Sequence, residues 1–358
     1  REGLSLAVFE ARDAASTDAR TLALSHASRE TLDEAGAWPA AAATPIHSIH
    51  VSQRGGPGRT VIDAAEQRLP ALGYTVSSAA LEAALAERLR KSAIPVHYGQ
   101  SCSGIELDAE GATVRFARGR EVRARLLVLA DGGANARRIP GIAFTGKDYG
   151  QLAVVAPVRV DRPHGNRAYE RFTPDGPMAL LPVEERFALV WTASPARAEQ
   201  LAALDDAAFL GDLQATFGDR AGRFVHVGER NAFPLRLRAV NTPVALRTAL
   251  IGNAAQALHP IAGQGLNLGL RDAAQLAAMI GATPVADLGS AAMLGEYREA
   301  RRRDSSRGVA FTDFLVSSFA DARRIPTWGR GLALATLDLF PAARRVLAER
   351  MIRGAPGS

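Results

Sequence analysis

At 358 residues, with 47% hydrophobic and 22% charged side chains, the chain can bury one large core or two domains and is too apolar to be disordered. No run approaches the ~18 apolar residues of a membrane-spanning helix, no signal-peptide pattern is read, and a single cysteine, Cys102, excludes an internal disulfide framework and fits a reducing compartment. The net charge of +6 comes mainly from arginines spread along the chain without a nucleic-acid motif, so a membrane surface accounts for it better than nucleic acid.

The first stretch, Leu4-Ser5-Leu6-Ala7-Val8-Phe9-Glu10, reads as a buried strand ending in an acid, with Gly3 as the cap of a preceding helix. In a dinucleotide-binding βαβ unit, an acid about 20 residues past the glycine fingerprint takes the ribose hydroxyls. Counting back from Glu10 puts that fingerprint before Arg1. The chain is therefore expected to lack the first strand, the G-x-G-x-x-G loop and most of the first helix of such a unit.

Asp18-Ala19-Arg20-Thr21-Leu22-Ala23-Leu24-Ser25 then leads into a helix ending near Gly36. Ile46 to Ile62 reads as paired strands around the turn Gly55-Gly56-Pro57-Gly58. His47 and His50 are three apart in a strand and point to opposite faces, so they do not pair as metal ligands, and no Cys/His cluster occurs elsewhere. Ser78 is expected to cap the next helix, with Leu81, Ala84, Leu85 and Leu89 on its buried face.

Residues 94 to 129 alternate as a meander of short strands, and the turn Asp131-Gly132-Gly133-Ala134-Asn135-Ala136-Arg137-Arg138 follows. The runs Leu152 to Val160, Arg167 to Phe172, Met178 to Pro182 and Phe187 to Thr192 predict an antiparallel sheet. A helix near 205 to 217 leads to Asn231-Ala232-Phe233-Pro234-Leu235. Next, Thr248-Ala249-Leu250-Ile251 reads as a strand that stops at Gly252. A loop rich in Gly and Pro follows, and apolar residues at Leu266, Leu270, Ala273, Ala274, Ala277 and Ile280 recur at helical spacing.

Strand, glycine loop and helix N-terminus make a site for an anion or a flat electron-rich ring. The first-turn N–H groups have no partner of their own, and Gly263 and Gly265 let a cofactor approach the backbone. From Tyr297 onward the chain reads as helical and basic. Its last helix, near 331 to 352, combines Leu332, Leu339, Val346 and Leu347 with Arg344, Arg345 and Arg350, a pattern that suits a membrane surface or packing on the body of the protein.

The run from Ile251 to Asp272 closely resembles the second flavin-contacting motif of the single-component aromatic hydroxylases, and within them the UbiH-type 2-polyprenyl-6-methoxyphenol hydroxylases of ubiquinone biosynthesis. Ile49-His50-Val51-Ser52-Gln53-Arg54-Gly55, Ala168-Tyr169-Glu170-Arg171-Phe172-Thr173 and Ala179-Leu180-Leu181-Pro182 are similar to the same branch. The resemblance implies an α/β architecture. A Rossmann-like FAD-binding domain of the para-hydroxybenzoate-hydroxylase type would comprise residues 1–149 and 231–295, N-terminally incomplete. An antiparallel-sheet substrate domain would span 150–230, and C-terminal helices 296–358.

It also implies contacts to FAD. Arg20, in an R-x-x-A-L-S pattern, would reach the phosphate and ribityl region, and Glu10 the ribose. Asp131, Gly132 and Arg138 match a D-G-x-x-S-x-x-R element that serves flavin and reduced nicotinamide, with Asn135 in place of the usual serine. Gly252, Asn253, Gly263, Gln264, Gly265, Leu266 and Asn267 complete the cofactor set. His259 and Pro260 would flank the isoalloxazine ring as the catalytic candidates. Two departures are Asn253, where many relatives carry Asp, and Ser77-Ser78, where members often carry Glu-Asn.

The reaction implied is insertion of one oxygen atom into the ring of a polyprenylated phenol, using NADPH and O2 by way of a flavin hydroperoxide, with contact to the inner membrane face and to other proteins of the pathway. Side chains alone cannot do this chemistry, so a cofactor must carry it. The alternatives are a flavin-deficient, non-catalytic member of the fold that binds lipid or a partner, and an isoprenoid reductase.

Overall fold

The structure is a computed structural model and describes residues 3–14, 20–55, 59–257 and 264–302. The chain begins with β1 (Val8–Phe9), β2 (Thr21–Ser25) and α1 (His26–Glu34). The strands β3 (Thr44–Ile46), β4 (Ser48–Gln53), β5 (Arg59–Asp63) and β6 (Gly73–Ser77) lead to α2 (Ser78–Arg90). Short strands follow: β7 (Val96–His97), β8 (Cys102–Leu107), β9 (Ala112–Phe116), β10 (Glu121–Ala124) and β11 (Leu127–Leu129). Next are β12 (Phe144–Val160), β13 (Arg167–Thr173), β14 (Gly176–Val183) and β15 (Arg186–Ala193). The helices α3 (Pro195–Ala203) and α4 (Asp206–Phe217) precede β16 (Phe224–Val227) and β17 (Asn231–Val240). Last are β18 (Val244–Ala245), β19 (Thr248–Leu250), β20 (Gln256–Ala257), α5 (Gln264–Ala282) and a helix, α6, from 291 to the last described residue.

Local chemistry sets the helix ends. The Ser25 hydroxyl accepts from the Ser28 N–H to start α1, and Asp205 accepts from the Ala208 N–H to start α4. Gly218, at φ +78°, stops α4 with a backbone conformation that other residues adopt only under strain. The helix after β6 is capped by Ser77, whose hydroxyl accepts from the Ala80 N–H, one residue earlier than expected. Leu85 on that helix is 37% exposed, because α2 packs on β6 through Leu81 and not through a wider stripe.

A nine-stranded sheet dominates the molecule, in the order β20-β17-β12-β15-β14-β13-β4-β5, with β16 also paired to β12. Antiparallel pairing joins β12, β15, β14 and β13, as the alternating runs predict. Beyond residues 150–230, the sheet draws on β4 and β5 at one side and on β17 and β20 at the other. β4 joins β13 in parallel, so a hairpin from the first part of the chain completes a sheet built mostly later.

The helices α3 and α4 cover one face. Beneath them lie Trp191, Phe187, Phe209 and Phe217, each at most 2% exposed, with Trp191 and Phe209 packed edge to face at 5.9 Å. Each such side chain contributes about 1.5–3 kcal/mol by leaving water.

Three-stranded sheets surround this core: β2-β6-β3, β10-β9-β8 and β11-β19-β18. Two expectations are corrected here. The segment 94–129 is not one meander. Only β8, β9 and β10 form it, whereas β7 pairs in parallel with β1, and β11 in parallel with β19. Nor is Leu4–Glu10 a buried strand throughout. Pairing is limited to Val8 and Phe9, and Leu6 is 52% exposed. The turn at 56–58 and the helices expected beyond 302 lie outside the described residues.

Candidate flavin site

Two tight turns meet on one arginine, and α5 packs against the second of them. The first turn follows β11. Asp131 Oδ1 accepts from the Gly133 N–H at 2.9 Å, and Oδ2 accepts from the Asn135 N–H and side-chain amide, both at 2.8 Å. The carboxylate folds the turn around itself, with Gly132 at φ +69° and Gly133 at φ +88°. Asn135 Oδ1 then accepts from Arg138 Nε at 3.0 Å, and Arg138 Nη1 donates to the Ser103 carbonyl at 2.9 Å. The amide in place of a serine thus links Asp131 to Arg138.

The second turn, Gly252–Ala254, follows β19. Gly252 has φ +57° and donates its N–H to Asp272 Oδ2 at 2.9 Å. A Cβ on Gly269 of α5 would lie 3.0 Å from the Gly252 Cα, so the helix touches the turn only because both residues are glycine. Asp272 is 2% exposed and is held from its other side by Arg301 of α6, at 2.6 Å. Burial and the nearby Asp272 charge push the Tyr297 hydroxyl well above its ordinary range, so it stays protonated beside this pair.

Arg238 of β17 ties the turns together. Its guanidinium donates to the Gly132 carbonyl and, at 3.4 Å, to the Asn253 carbonyl, and it lies over the Phe144 ring at 4.6 Å. The start of α5 is pinned by Asn267. This residue is 3% exposed, accepts from the Ser25 N–H at 2.8 Å and donates to the Ala23 carbonyl at 3.1 Å. Leu266 packs with Leu24, Leu32, Val76 and Leu81. Among the described residues, a Cβ at Gly265 or at Gly132 would meet no atom within 4 Å.

Of the residues read from the sequence, the structure therefore groups Asp131, Gly132, Arg138, Gly252, Asn253, Gly265, Leu266 and Asn267 around α5 and the two turns. The backbone of Gln264 opens α5; His259, Pro260 and Gly263 lie outside the described residues. Glu10 follows β1, which belongs to a different sheet, and it accepts from the Arg12 N–H at 2.9 Å and from Arg12 Nη2 at 3.1 Å. The Arg12 guanidinium holds its carboxyl below the usual range. Arg20 precedes β2, and its carbonyl accepts from the Ser78 N–H at 2.8 Å. Sequence pattern alone does not mark Arg238, Asp272 or Gly269 as site residues. Gly269 and Asp272 stand inside the quoted motif, but nothing in the sequence says what they touch.

Residues 1–312 match the family of the FAD binding domain. The chain is 34% identical over 380 residues to the ubiquinone hydroxylase UbiL of Rhodospirillum rubrum, covering 99% of this chain and 88% of that protein. It belongs to the FAD-dependent hydroxylases of ubiquinone biosynthesis.

A second member of this hydroxylase family, the 3-demethoxyubiquinol 3-hydroxylase of Escherichia coli, is 34% identical over 269 residues; that match covers 71% of this chain and 66% of the relative's length. Among solved structures, PqsL of Pseudomonas aeruginosa, a probable FAD-dependent monooxygenase, superposes with a TM-score of 0.75 at 20% identity, covering 94% of this chain and 93% of that one. The p-nitrophenol 4-monooxygenase PnpA of Pseudomonas putida also gives 0.75, at 19% identity, over 99% and 93% of the two chains. At such identities the likeness shows the fold, that of the para-hydroxybenzoate-hydroxylase type.

FAD is the cofactor of these flavin-dependent monooxygenases, and the described residues fit a flat group with negative charge. Among the described residues no atom lies within 4 Å of a Cβ placed at Gly132 or Gly265, and the N-terminus of a 19-residue helix offers N–H donors and the positive end of its dipole.

Proposed function

We propose that this hydroxylase inserts one oxygen atom from O2 into the aromatic ring of a polyprenylated phenol, with NADPH as reductant. The observation that carries the reading is the junction of both glycine turns on Arg238, with α5 packed through Gly269 against the Gly252 turn. Residues 1–149 and 231–295 would form the FAD-binding part, 150–230 the substrate part and 296–358 the C-terminal helices, with peripheral contact to the inner membrane face. Among the described residues no helix is long and apolar enough to cross a membrane.

FAD would be held by Gly252, Asn253, Gly263, Gln264, Gly265, Leu266 and Asn267 on one side and by Asp131, Gly132 and Arg138 on the other. Glu10 and Arg20 would take the ribose and phosphate, and His259 and Pro260 would flank the ring. Bound FAD supplies the electrons and the activated oxygen. The protein supplies N–H donors where the reduced cofactor carries negative charge, which the dipole of α5 stabilises without reorganisation. Its apolar sheet excludes water around the reacting ring.

The test begins with the purified chain, incubated with excess FAD and freed of unbound cofactor. Stoichiometric visible absorption of flavin is expected, followed by NADPH oxidation and a hydroxylated product when a polyprenylphenol is added. A colourless protein, or NADPH oxidation without hydroxylated product, would overturn the reading. An isoprenoid alkene reduced in place of the phenol would replace it with a reductase.

A further inference from the structure

One face of the nine-stranded sheet is covered by α3 and α4; the other is closed at its β5 margin, where Ile62 packs with Ala64 and Leu72, and is only half-buried along its middle. Tyr169, Met178, Leu180, Leu189 and Trp191 lie under α3 and α4 and are at most 7% exposed. Ala179, Leu181 and Val190, which alternate with them, and Val51 of β4 and Val155 of β12, which share their side by register, point to the opposite face and stay half-buried. Register draws a row across this second face. Thr60 of β5 stands opposite Val51, Val51 opposite Glu170, Glu170 opposite Ala179, and Ala179 opposite Val190. Gln53, two residues past Val51 and on the same face, stands opposite Phe172.

Glu170, Gln53 and Thr60 interrupt the apolar surface in and beside this row. Among the described residues, Thr60 Oγ1 and Gln53 Oε1 are buried without a hydrogen-bond partner, in residues 1% and 7% exposed. Glu170 retains accessible surface, so it borders open space, yet it lies deep enough that burial pushes its carboxyl up to about 8, with no neighbouring charge contributing. Glu170 and Thr60 are two strand spacings apart, about 9–10 Å, and Gln53 is diagonal to Glu170. Buried polar groups in folded proteins nearly always have partners, and exceptions gathered in one place call for one from outside the chain.

We propose that Glu170, Gln53 and Thr60 are the hydrogen-bonding station for the oxygen substituents of the phenol ring, and that the apolar remainder of this face takes its prenyl chain. The inference rests on the phenol reading above and names the residues that would recognise such a substrate. The neutral carboxyl of Glu170 donates to a ring oxygen, and its ionised form accepts the phenolic O–H. In the ionised state a proton can pass outright: the phenolic O–H bond breaks, a carboxyl O–H bond forms, and the electron pair stays on the ring oxygen. No oxidation or reduction accompanies that exchange. It enriches the ring in electrons where oxygen is to be inserted.

Glu170 is the one charged residue on this face of β4, β5, β13 and β14. Arg54, Arg59, Asp63, Arg167 and Arg171 alternate to the other side. Arg186, at the start of β15, is paired with Glu184, and β3 and β6, which pack against β14, carry no charge. The titration seen on binding should therefore belong to Glu170.

The test uses FAD-loaded protein, its E170L and E170Q variants, and two probes: 2-methoxy-6-prenylphenol and its O-methyl ether. Calorimetry between about pH 6 and 9 should show the wild type preferring the phenol by about tenfold or more. Phenol affinity should change with a midpoint near 8. In E170L the preference should vanish while ether binding, which also reports an intact fold, remains. In E170Q the midpoint should vanish, and this decides the matter should E170L not fold. Equal wild-type affinity for the two probes, a preference that survives in E170L, or a midpoint that survives in E170Q overturns the inference and leaves the phenol reading standing. A flavin-loaded wild type that binds neither probe overturns both.

Discussion

Gly265 and Gly269 occupy one helix four residues apart, yet their surroundings differ. A side chain at Gly269 would press a Cβ to within 3.0 Å of the Gly252 backbone, while one at Gly265 would meet no atom of the described residues within 4 Å. Gly269→Ala should therefore lower the melting temperature of the cofactor-free protein by several degrees and displace the Gly252 turn. Gly265→Ala should leave that temperature unchanged or raise it, since alanine favours a helix by about 1 kcal/mol over glycine. It should nevertheless weaken FAD binding by about tenfold or more. Thermal unfolding without FAD, paired with a flavin titration, separates the two; a Gly265→Ala variant that binds FAD normally would remove Gly265 from the site. In the sequence, both glycines stand in the same motif and look alike. The difference lies in what faces them, which spacing along a chain does not reveal. Glu170, Gln53 and Thr60 were hidden for a related reason, because an isolated polar residue on an alternating strand reads as a solvent-facing one.

At the scale of elements, the Gly252 turn is held through α5 by a partner on α6. Asp272 accepts from the Gly252 N–H and is clamped by Arg301, both buried. A buried ion pair adds little over an apolar replacement but is costly to break on one side. Asp272→Ala should cost about 3–5 kcal/mol in guanidinium unfolding, and a combined Asp272→Leu, Arg301→Met variant should recover most of that loss. A double variant as unstable as the single one would mean that the carboxylate acts mainly by holding Gly252. Much at this scale was legible beforehand. The periodicity over 264–282 marks α5, and the alternating runs from 152 to 192 mark the strands of the central sheet. Pairing was not legible where it is remote: β4 with β13, β1 with β7, and β11 with β19 join segments whose local patterns say strand but name no partner.

For the molecule as a whole, Glu170 couples the sheet interior to pH. Its carboxyl titrates near 8 in the folded protein, against an ordinary value of 4.5. Between those values the native state keeps a proton that the unfolded chain has released. This contribution is fully present below about pH 4.5 and is lost as pH rises toward 8, a change of a few kcal/mol in order of magnitude. Unfolding free energies at about pH 5.5 and 8.5 should show the wild type losing stability on the alkaline side and E170Q losing less. Identical slopes for the two proteins would mean that the folded-state carboxyl titrates in the ordinary range.

The parallel seam between β4 and β13 also governs how the protein comes into being. Ser48 is hydrogen-bonded to Arg167, 119 residues later in the chain. A ribosome adding about 5–20 residues per second leaves the finished β4–β5 hairpin waiting roughly 5–21 s for its neighbour to begin. Throughout that interval Ile49, Val51 and Ile62 sit on a strand pair with an unfilled edge, the kind of surface that pairs with other nascent chains. Production of this hydroxylase should thus respond to synthesis rate and chaperone supply more than to the stability of the finished fold. Nascent chains arrested before residue 167 should be the ones that aggregate.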